Sequence, residues 1–127
     1  MLAFSENIIE IFPDDIYTRK EIASNCSNLS YSLLLKKEFN TALHYAQIAI
    51  QADESNEYTY TNLPLAYLFN GEFDKAKEIY LEWKDKPFQS EEQFATFKEV
   101  FLADFADLEE NGVTHPDFEK IRKLLEQ

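Results

Sequence analysis

Two segments of the chain repeat one another at an interval of 34 residues. The first reads Glu-Phe-Asn-x-Ala and ends at Ala42, and the second reads Glu-Phe-Asp-x-Ala and ends at Ala76. In the same register, Leu29 matches Leu63. A fixed period of this size is typical of repeat architectures, in which each repeat is one supersecondary unit stacked on the next. We predict a single domain with repeats at 23–56 and 57–90, a capping region at 1–22 and capping helices at 91–127.

Each repeat is predicted to contain two α-helices joined by a short turn. In the first repeat, apolar residues recur at helical spacing over residues 22–36 and again over residues 41–52. In the second, Gly71 separates the helices, because glycine adopts the left-handed conformation that ends a helix at little cost. Asn40 and Asp74 stand at equivalent positions near the start of each second helix, where their side chains are expected to cap an unpaired backbone N–H.

This pattern resembles that of the tetratricopeptide repeat family. The residues that match the family pattern are Cys26, Leu29, Ser30, Phe39, Ala42 and Ala49 in the first repeat, and Tyr60, Leu63, Phe73 and Ala76 in the second. Small side chains at such positions allow the two helices of a hairpin to approach closely. The resemblance covers about half of the chain. It implies an all-α fold, an α-α superhelix of helical hairpins with helical caps.

Two residues depart from the family pattern. Pro64 lies where the family prefers Gly or Ala, and a proline inside a helix removes a hydrogen bond and is expected to kink it. Trp83 lies where the family prefers a small residue. We therefore expect the array to change geometry after the second repeat, with a following element of different form that accepts the indole ring.

Apolar stripes on both sides of the repeats predict capping helices, which repeat arrays need at their ends. The N-terminal stripe consists of Phe4, Ile8, Ile9 and Phe12, and Asp14 or Asp15 is placed to cap the helix that leads into the first repeat. After the repeats, Ser90 and Gln93 have the spacing of a capping box and predict a helix start. The apolar residues of that helix are Phe94, Phe97, Phe101, Leu102, Phe105 and Leu108. It should end at Asn111-Gly112, and a last short helix should bury Phe118, Ile121, Leu124 and Leu125.

The charge of the chain disfavours two classes of partner. A formal net charge of −12 repels phosphate backbones and anionic membrane surfaces, so we expect neither nucleic acid nor membrane as a ligand. The acidity is explained either by solubility or by a basic partner that docks on an acidic face. The only cysteine, Cys26, is compatible with a reducing compartment. The N-terminus lacks the pattern of a signal peptide, and we expect a soluble cytoplasmic protein.

No set of residues indicates catalysis, a cofactor or a metal site. The nucleophile-elbow, phosphate-loop and dinucleotide motifs are missing from the sequence. Cys26 lies on an apolar stripe and is predicted to be an inert core thiol. His44 is expected on the surface, and His115 near a helix start. The carboxylates Asp104, Asp107, Glu109 and Glu110 are interpreted as a solvated acidic face. We therefore predict that the protein is not an enzyme.

A binding surface is implied by the resemblance. In the tetratricopeptide family the first helix of each repeat lines a concave surface that binds a peptide or helix of a partner protein. The matching candidates here include Tyr31, Leu35, Tyr58, Thr61, Leu65 and Phe69, and the neighbouring Asn62 is a further candidate. The surface carries no Lys or Arg, so an apolar or amphipathic helix suits it better than an acidic peptide terminus. Asn62 could hold a peptide backbone, because an amide both donates and accepts hydrogen bonds.

The alternative is that the terminal helices fill this surface as core, because large apolar patches are rarely left open on monomers. The protein would then be a structural or oligomerisation module, or a terminal segment of a longer repeat protein. Self-association through the aromatic stripe at residues 94–105 would favour that interpretation. The sequence is compatible with both a binding module and a structural module, and also with a homo-oligomer.

Overall fold

The computed structural model describes residues 14–127, and these residues form an all-α fold, as predicted. The helices are α1 (Ile16–Leu35), α2 (Phe39–Ala52), α3 (Glu57–Phe69), α4 (Phe73–Trp83), α5 (Phe97–Glu110) and α6 (Phe118–Leu125). Helices α1 to α4 pack consecutively, with the most extensive contact between α1 and α2. Helix α5 packs on α3 and α4, and α6 packs on α4 and α5. None of the helices in this part of the chain is both long and apolar enough to cross a bilayer.

Small residues line the contact between α1 and α2. Ala23 and Ser30 on α1 and Ala42 and Ala49 on α2 have no exposed surface. The hydroxyl of Ser30 donates a hydrogen bond to the carbonyl of Ala42 at 2.8 Å. The short side chains and this direct bond to the facing backbone bring the two helices close together, which is the packing that the small residues of the repeat pattern predict.

Three helices end in the same kind of tight turn, with one residue in the left-handed conformation. Gly71 follows α3 with a φ of 80° and Gly112 follows α5 with a φ of 78°, so both glycines end helices as predicted. After α1 the same role falls to Lys37, with a φ of 63°. The amide of Asn70 also donates to the carbonyl of Phe39 at 2.8 Å, which ties the turn after α3 to the start of α2. Helix α3 itself continues through the buried Pro64.

The predicted N-caps of α2 and α4 are wrong. Asn40 and Asp74 lie inside the first turns of these helices, and Glu38 and Glu72 occupy the cap positions without a side-chain hydrogen bond. The backbone N–H groups of Glu38 and Glu72 instead bond back to α1 and α3, each at 2.9 Å. These bonds complete the turns within one residue of the left-handed position, so the next helix begins earlier than the cap pattern indicates.

Helix α1 begins at Ile16, six residues before the first predicted stripe. Asp15 caps it, as one of the two predicted candidates, because its carboxylate accepts from the backbone N–H of Tyr17 at 3.1 Å. The hydroxyl of Thr18 donates to the same carboxylate at 2.7 Å. The helix predicted from Phe4, Ile8, Ile9 and Phe12 lies outside the described residues.

The start of α5 also differs from the prediction. The helix begins at Phe97, not at Ser90, and residues 84–96 form an irregular connection with one antiparallel bridge between Pro87 and Thr96. Ser90 does not cap a helix, because its hydroxyl donates to Glu57 at 2.6 Å and so attaches the connection to the first turn of α3. A local capping pattern was outweighed here by a contact between residues distant in sequence.

Aromatic side chains form most of the core between α3–α4 and α5–α6. The fully buried rings are Tyr80, Phe97, Phe101, Phe105 and Phe118. Trp83 stacks on Tyr60 with 4.1 Å between ring centroids and lies 5.1 Å from Phe97 at the start of α5. The element after the second repeat therefore accepts the indole ring, as the sequence predicted.

Candidate functional site

The terminal helices cover part of the predicted binding surface. Leu65 is 1% exposed and belongs to the main core. Phe69 stacks on Phe39 with 4.4 Å between centroids and meets Phe118 of α6 edge to face at 5.7 Å. Leu35 is half-buried against the same core. Leu65 is buried in the core and Phe69 packs against α6, so these two candidates have structural roles in the described conformation.

The remaining candidates line an open groove between α1, α3 and the segment at 91–107. The groove has a volume of about 650 Å³. Its walls are formed by Asn28, Tyr31, Ser32, Tyr58, Thr61, Asn62, Glu91, Gln93, Phe94, Val100, Ala103, Asp104 and Asp107. Four of the seven predicted residues are therefore together: Tyr31, Tyr58, Thr61 and Asn62.

Two of these four residues shape the wall with bonds inside the protein. Asn62 is 5% exposed, and its amide donates to the carbonyl of Ser27 on α1 at 2.8 Å. Thr61 is 2% exposed and donates to the carbonyl of Tyr58 within α3 at 3.0 Å. One N–H of the Asn62 amide, which was expected to hold a peptide backbone, therefore already joins α1 to α3.

The two tyrosines connect the repeat helices to the C-terminal half of the protein. The hydroxyl of Tyr31 on α1 donates to Asp107 on α5 at 2.7 Å. The hydroxyl of Tyr58 on α3 donates to Glu91 at 2.7 Å. Burial, together with the neighbouring carboxylates, raises the pKa of Tyr58 to about 12 and raises the pKa of Tyr31 further. Both phenols therefore keep their protons at neutral pH and remain hydrogen-bond donors.

Asp104 lies at the floor of the groove without such a partner. Within residues 14–127 its carboxyl group makes no hydrogen bond or ion pair, although its side chain retains contact with solvent. Burial, followed by repulsion from Asp107 and Glu91, raises the pKa of Asp104 from 3.8 to about 8. Asp104 is therefore mostly protonated and neutral at pH 7 when no cation is bound.

The interpretation of the C-terminal carboxylates as one solvated face is wrong for Asp104, which is partly buried, whereas Asp107, Glu109 and Glu110 are exposed. Asp104 is at the groove floor, Asp107 accepts a bond from Tyr31, and Glu109 forms an ion pair with Arg122 at 2.7 Å. Sequence reasoning missed Asp104 as a site residue. A signal existed, because Asp104 follows Val100 by four residues and so falls beside the apolar stripe of α5.

A second depression of about 450 Å³ lies beside the N-terminal half of α1 and α3. Its polar groups are largely paired. Lys20 lies 3.5 Å from Asp53, and Glu57 accepts from Ser90 at 2.6 Å and from the backbone of Gln89 at 3.0 Å. These contacts join neighbouring segments of the protein, and they leave few unpaired polar groups that could bind a ligand.

The other titratable candidates have structural roles. Cys26 is half-buried, and burial raises the pKa of its thiol, which disfavours the reactive thiolate. His115 accepts a hydrogen bond from the backbone N–H of Asp117 at 3.0 Å, just before α6, as expected for a residue near a helix start. Across residues 14–127, no three His, Cys, Asp or Glu side chains are arranged to hold a metal ion.

Comparison of the chain with family models, with curated proteins and with solved structures finds no significant match.

Proposed function

We propose that this protein is an interaction module that binds a segment of a partner protein in the groove between α1, α3 and residues 91–107. The observation that carries the proposal is the groove itself. It is lined by first helices of the two repeats, where the tetratricopeptide resemblance places a binding surface, and the terminal helices leave it open. Its mixed aromatic and polar walls suit a peptide better than a small apolar ligand.

The proposal includes a fold of tetratricopeptide-like hairpins. Support comes from the 34-residue period, from the small residues buried between α1 and α2, and from the matching turns after α1 and α3. The expected cytoplasmic location and the lack of catalytic activity are parts of the same proposal. The single cysteine and the set of site residues are compatible with both.

A groove-blocking variant tests the binding function. Ala103 lines the groove, so Ala103→Trp places a large ring in it, and Glu78→Trp adds the same ring at an exposed position on α4 outside the groove. Both variants should retain the helical circular dichroism signal. A benzophenone amino acid at Ser32, an exposed groove residue, should then cross-link the same partner in wild-type and Glu78→Trp backgrounds of the source cell. The cross-link should be lost with Ala103→Trp.

Equal cross-linking in both Trp variants would show that the partner binds elsewhere and would contradict the proposal. The Leu65→Glu or Phe69→Glu change that the sequence alone would favour is a poor test. Both side chains pack in the core, so loss of binding would only report loss of folding.

A second candidate is a structural or oligomerisation module, and it is favoured by the burial of Leu65 in the core and by the packing of Phe69 against α6. The aromatic stripe at residues 94–105 does not supply a surface for self-association. Phe97 and Phe101 are each 1% exposed and Phe105 is 0% exposed, so this stripe is internal core. Sedimentation velocity across a hundredfold concentration range tests this candidate, since a constant monomer mass would exclude self-association as the function.

A further inference from the structure

The charged groups of the groove all have the same sign. Its lining includes Glu91, Asp104 and Asp107 and contains no Lys or Arg. Glu91 and Asp107 each accept a hydrogen bond from a tyrosine hydroxyl at 2.7 Å, which balances part of their charge. Asp104 is the one groove carboxyl that, within residues 14–127, lacks a hydrogen bond and an ion pair.

Burial and the negative charges of Asp107 and Glu91 disfavour ionisation of the Asp104 carboxyl group. The groups that face it are Glu91 from the connection before α5, Asp107 on α5, Tyr31 on α1, Tyr58 on α3 and Tyr80 on α4. All of them are acids, so no positive charge offsets the carboxylate. Tyr80 is 1% exposed, and its hydroxyl has no hydrogen-bond partner in the described part of the chain. One buried hydroxyl and one carboxyl group in this region therefore lack a partner in the described part of the chain, and such groups call for an additional partner.

We propose that the groove binds a protein segment that carries an arginine or lysine side chain, and that this cation lies against Asp104. The inference rests on the proposed binding function and names the chemistry of its partner. The guanidinium or ammonium group supplies the opposite charge and the N–H donors that the carboxylate lacks. Tyr31, Tyr58 and Phe94 line the same cavity and offer aromatic walls along which the apolar stem of the basic side chain can pack.

Charge complementarity selects this occupant over the others. An apolar helix would remove the three carboxyl groups from water without a counter-charge, which is costly. A second copy of the chain carries a net charge of −12 and would be repelled over most of its surface. Residues 1–13 of the chain contain no Lys or Arg, so they cannot supply the cation from a side chain.

The test uses four pools of acetylated and amidated nonapeptides added to the full-length ¹⁵N-labelled protein. The central residue is Arg, Lys, norleucine or Glu, and the flanking positions vary among Ala, Leu, Ser and Gln. The Arg and Lys pools should shift the amide resonances of groove residues such as Ser32 and Ala103. Asp104→Asn should weaken this binding roughly tenfold, the effect of losing one charge-assisted bond. Glu78→Gln, which removes a charge from an exposed site outside the groove, should leave it unchanged.

The pH dependence gives a second readout. Below pH 8 the bound cation must displace the proton of Asp104, so the affinity for the Arg pool should rise as the pH increases from 6 to 8. The Asp104→Asn variant should lose this increase, whereas a merely structural role for Asp104 would not produce it.

Three outcomes would overturn the inference. If the norleucine or Glu pool binds the groove as well as the basic pools do, and Asp104→Asn has no effect, the groove binds peptides but does not select a cation. If no pool at millimolar concentration shifts a groove resonance, the inference is wrong, and the cross-link from Ser32 decides the proposed function separately. If the groove resonances shift with protein concentration alone, the occupant is a second copy of the chain.

Discussion

Replacement of Asp104 with asparagine should stabilise the protein at alkaline pH. The carboxyl group has a pKa of about 8 in the folded protein, against 3.8 as its ordinary value. Between these two values the folded state holds a proton that the unfolded state has lost. The contribution of Asp104 to the free energy of unfolding of the wild type therefore decreases as the pH rises from about 4 to about 8, because this group binds fewer protons in the unfolded state in this range.

The size of the effect follows from the same shift. One pKa unit corresponds to about 1.4 kcal/mol, so the full difference sets a ceiling of about 6 kcal/mol above pH 8. Two factors reduce this value. The groove floor retains solvent contact, which screens the charge, and the asparagine amide has a desolvation cost of its own. We expect Asp104→Asn to raise the free energy of unfolding by about 1–3 kcal/mol at pH 9 and by much less at pH 5.

Urea denaturation followed by circular dichroism at pH 5 and pH 9 measures this difference. Glu78→Gln is the matched control, because it removes one negative charge from an exposed position in the middle of α4 and should change the stability by less than about 0.5 kcal/mol. A wild type and an Asp104→Asn variant with the same pH dependence would refute the reasoning. So would a variant that is less stable than the wild type at pH 9.

Three further changes test the packing that surrounds the groove. Phe118→Ala should destabilise the protein by about 3–5 kcal/mol in urea denaturation, because its ring is buried against Phe69, and a cost below 1 kcal/mol would argue against α6 as part of the core. Tyr31→Phe removes the hydrogen bond to Asp107 and should cost about 0.5–1.5 kcal/mol in the same assay; no loss would mean that this bond adds nothing to the attachment of α5. Gly71→Ala should lower the melting temperature through a cost of about 1 kcal/mol, because alanine is strained at a φ of 80°, and an unchanged melting temperature would contradict the left-handed turn.

Much of the helical layout was predictable from local patterns. The period between Ala42 and Ala76 located two hairpins, and glycines at 71 and 112 marked two helix ends. Trp83 lies where the repeat pattern prefers a small residue, and it predicted a change in the element that follows. Phe97 at the start of α5 does pack on the indole ring. These features depend on residues close in sequence, so a single chain contains enough information to identify them.

The errors arose where distant contacts outweighed local preference. Ser90 matches a helix cap but bonds to Glu57, which lies 33 residues away in the sequence. The stripe on α6 predicted a buried face, but nothing in its spacing indicated which part of the repeat surface it would cover. The helix packs against Phe69 and leaves Tyr31 and Tyr58 at an open groove. Which part of the repeat surface is covered and which stays open depends on how α5 and α6 dock. Short-range periodicity does not determine this docking.

The position of Trp83 makes the protein its own fluorescent probe. It is the only tryptophan in the chain, and its ring lies between Tyr60 of the second repeat and Phe97 of α5, with the ammonium group of Lys86 at 4.0 Å from the ring centroid. Separation of the C-terminal helices from the repeats would expose one side of the indole to water. A shift in the emission of a single native residue would therefore distinguish detachment of α5 from melting of α1 and α2, without any label attached to the protein.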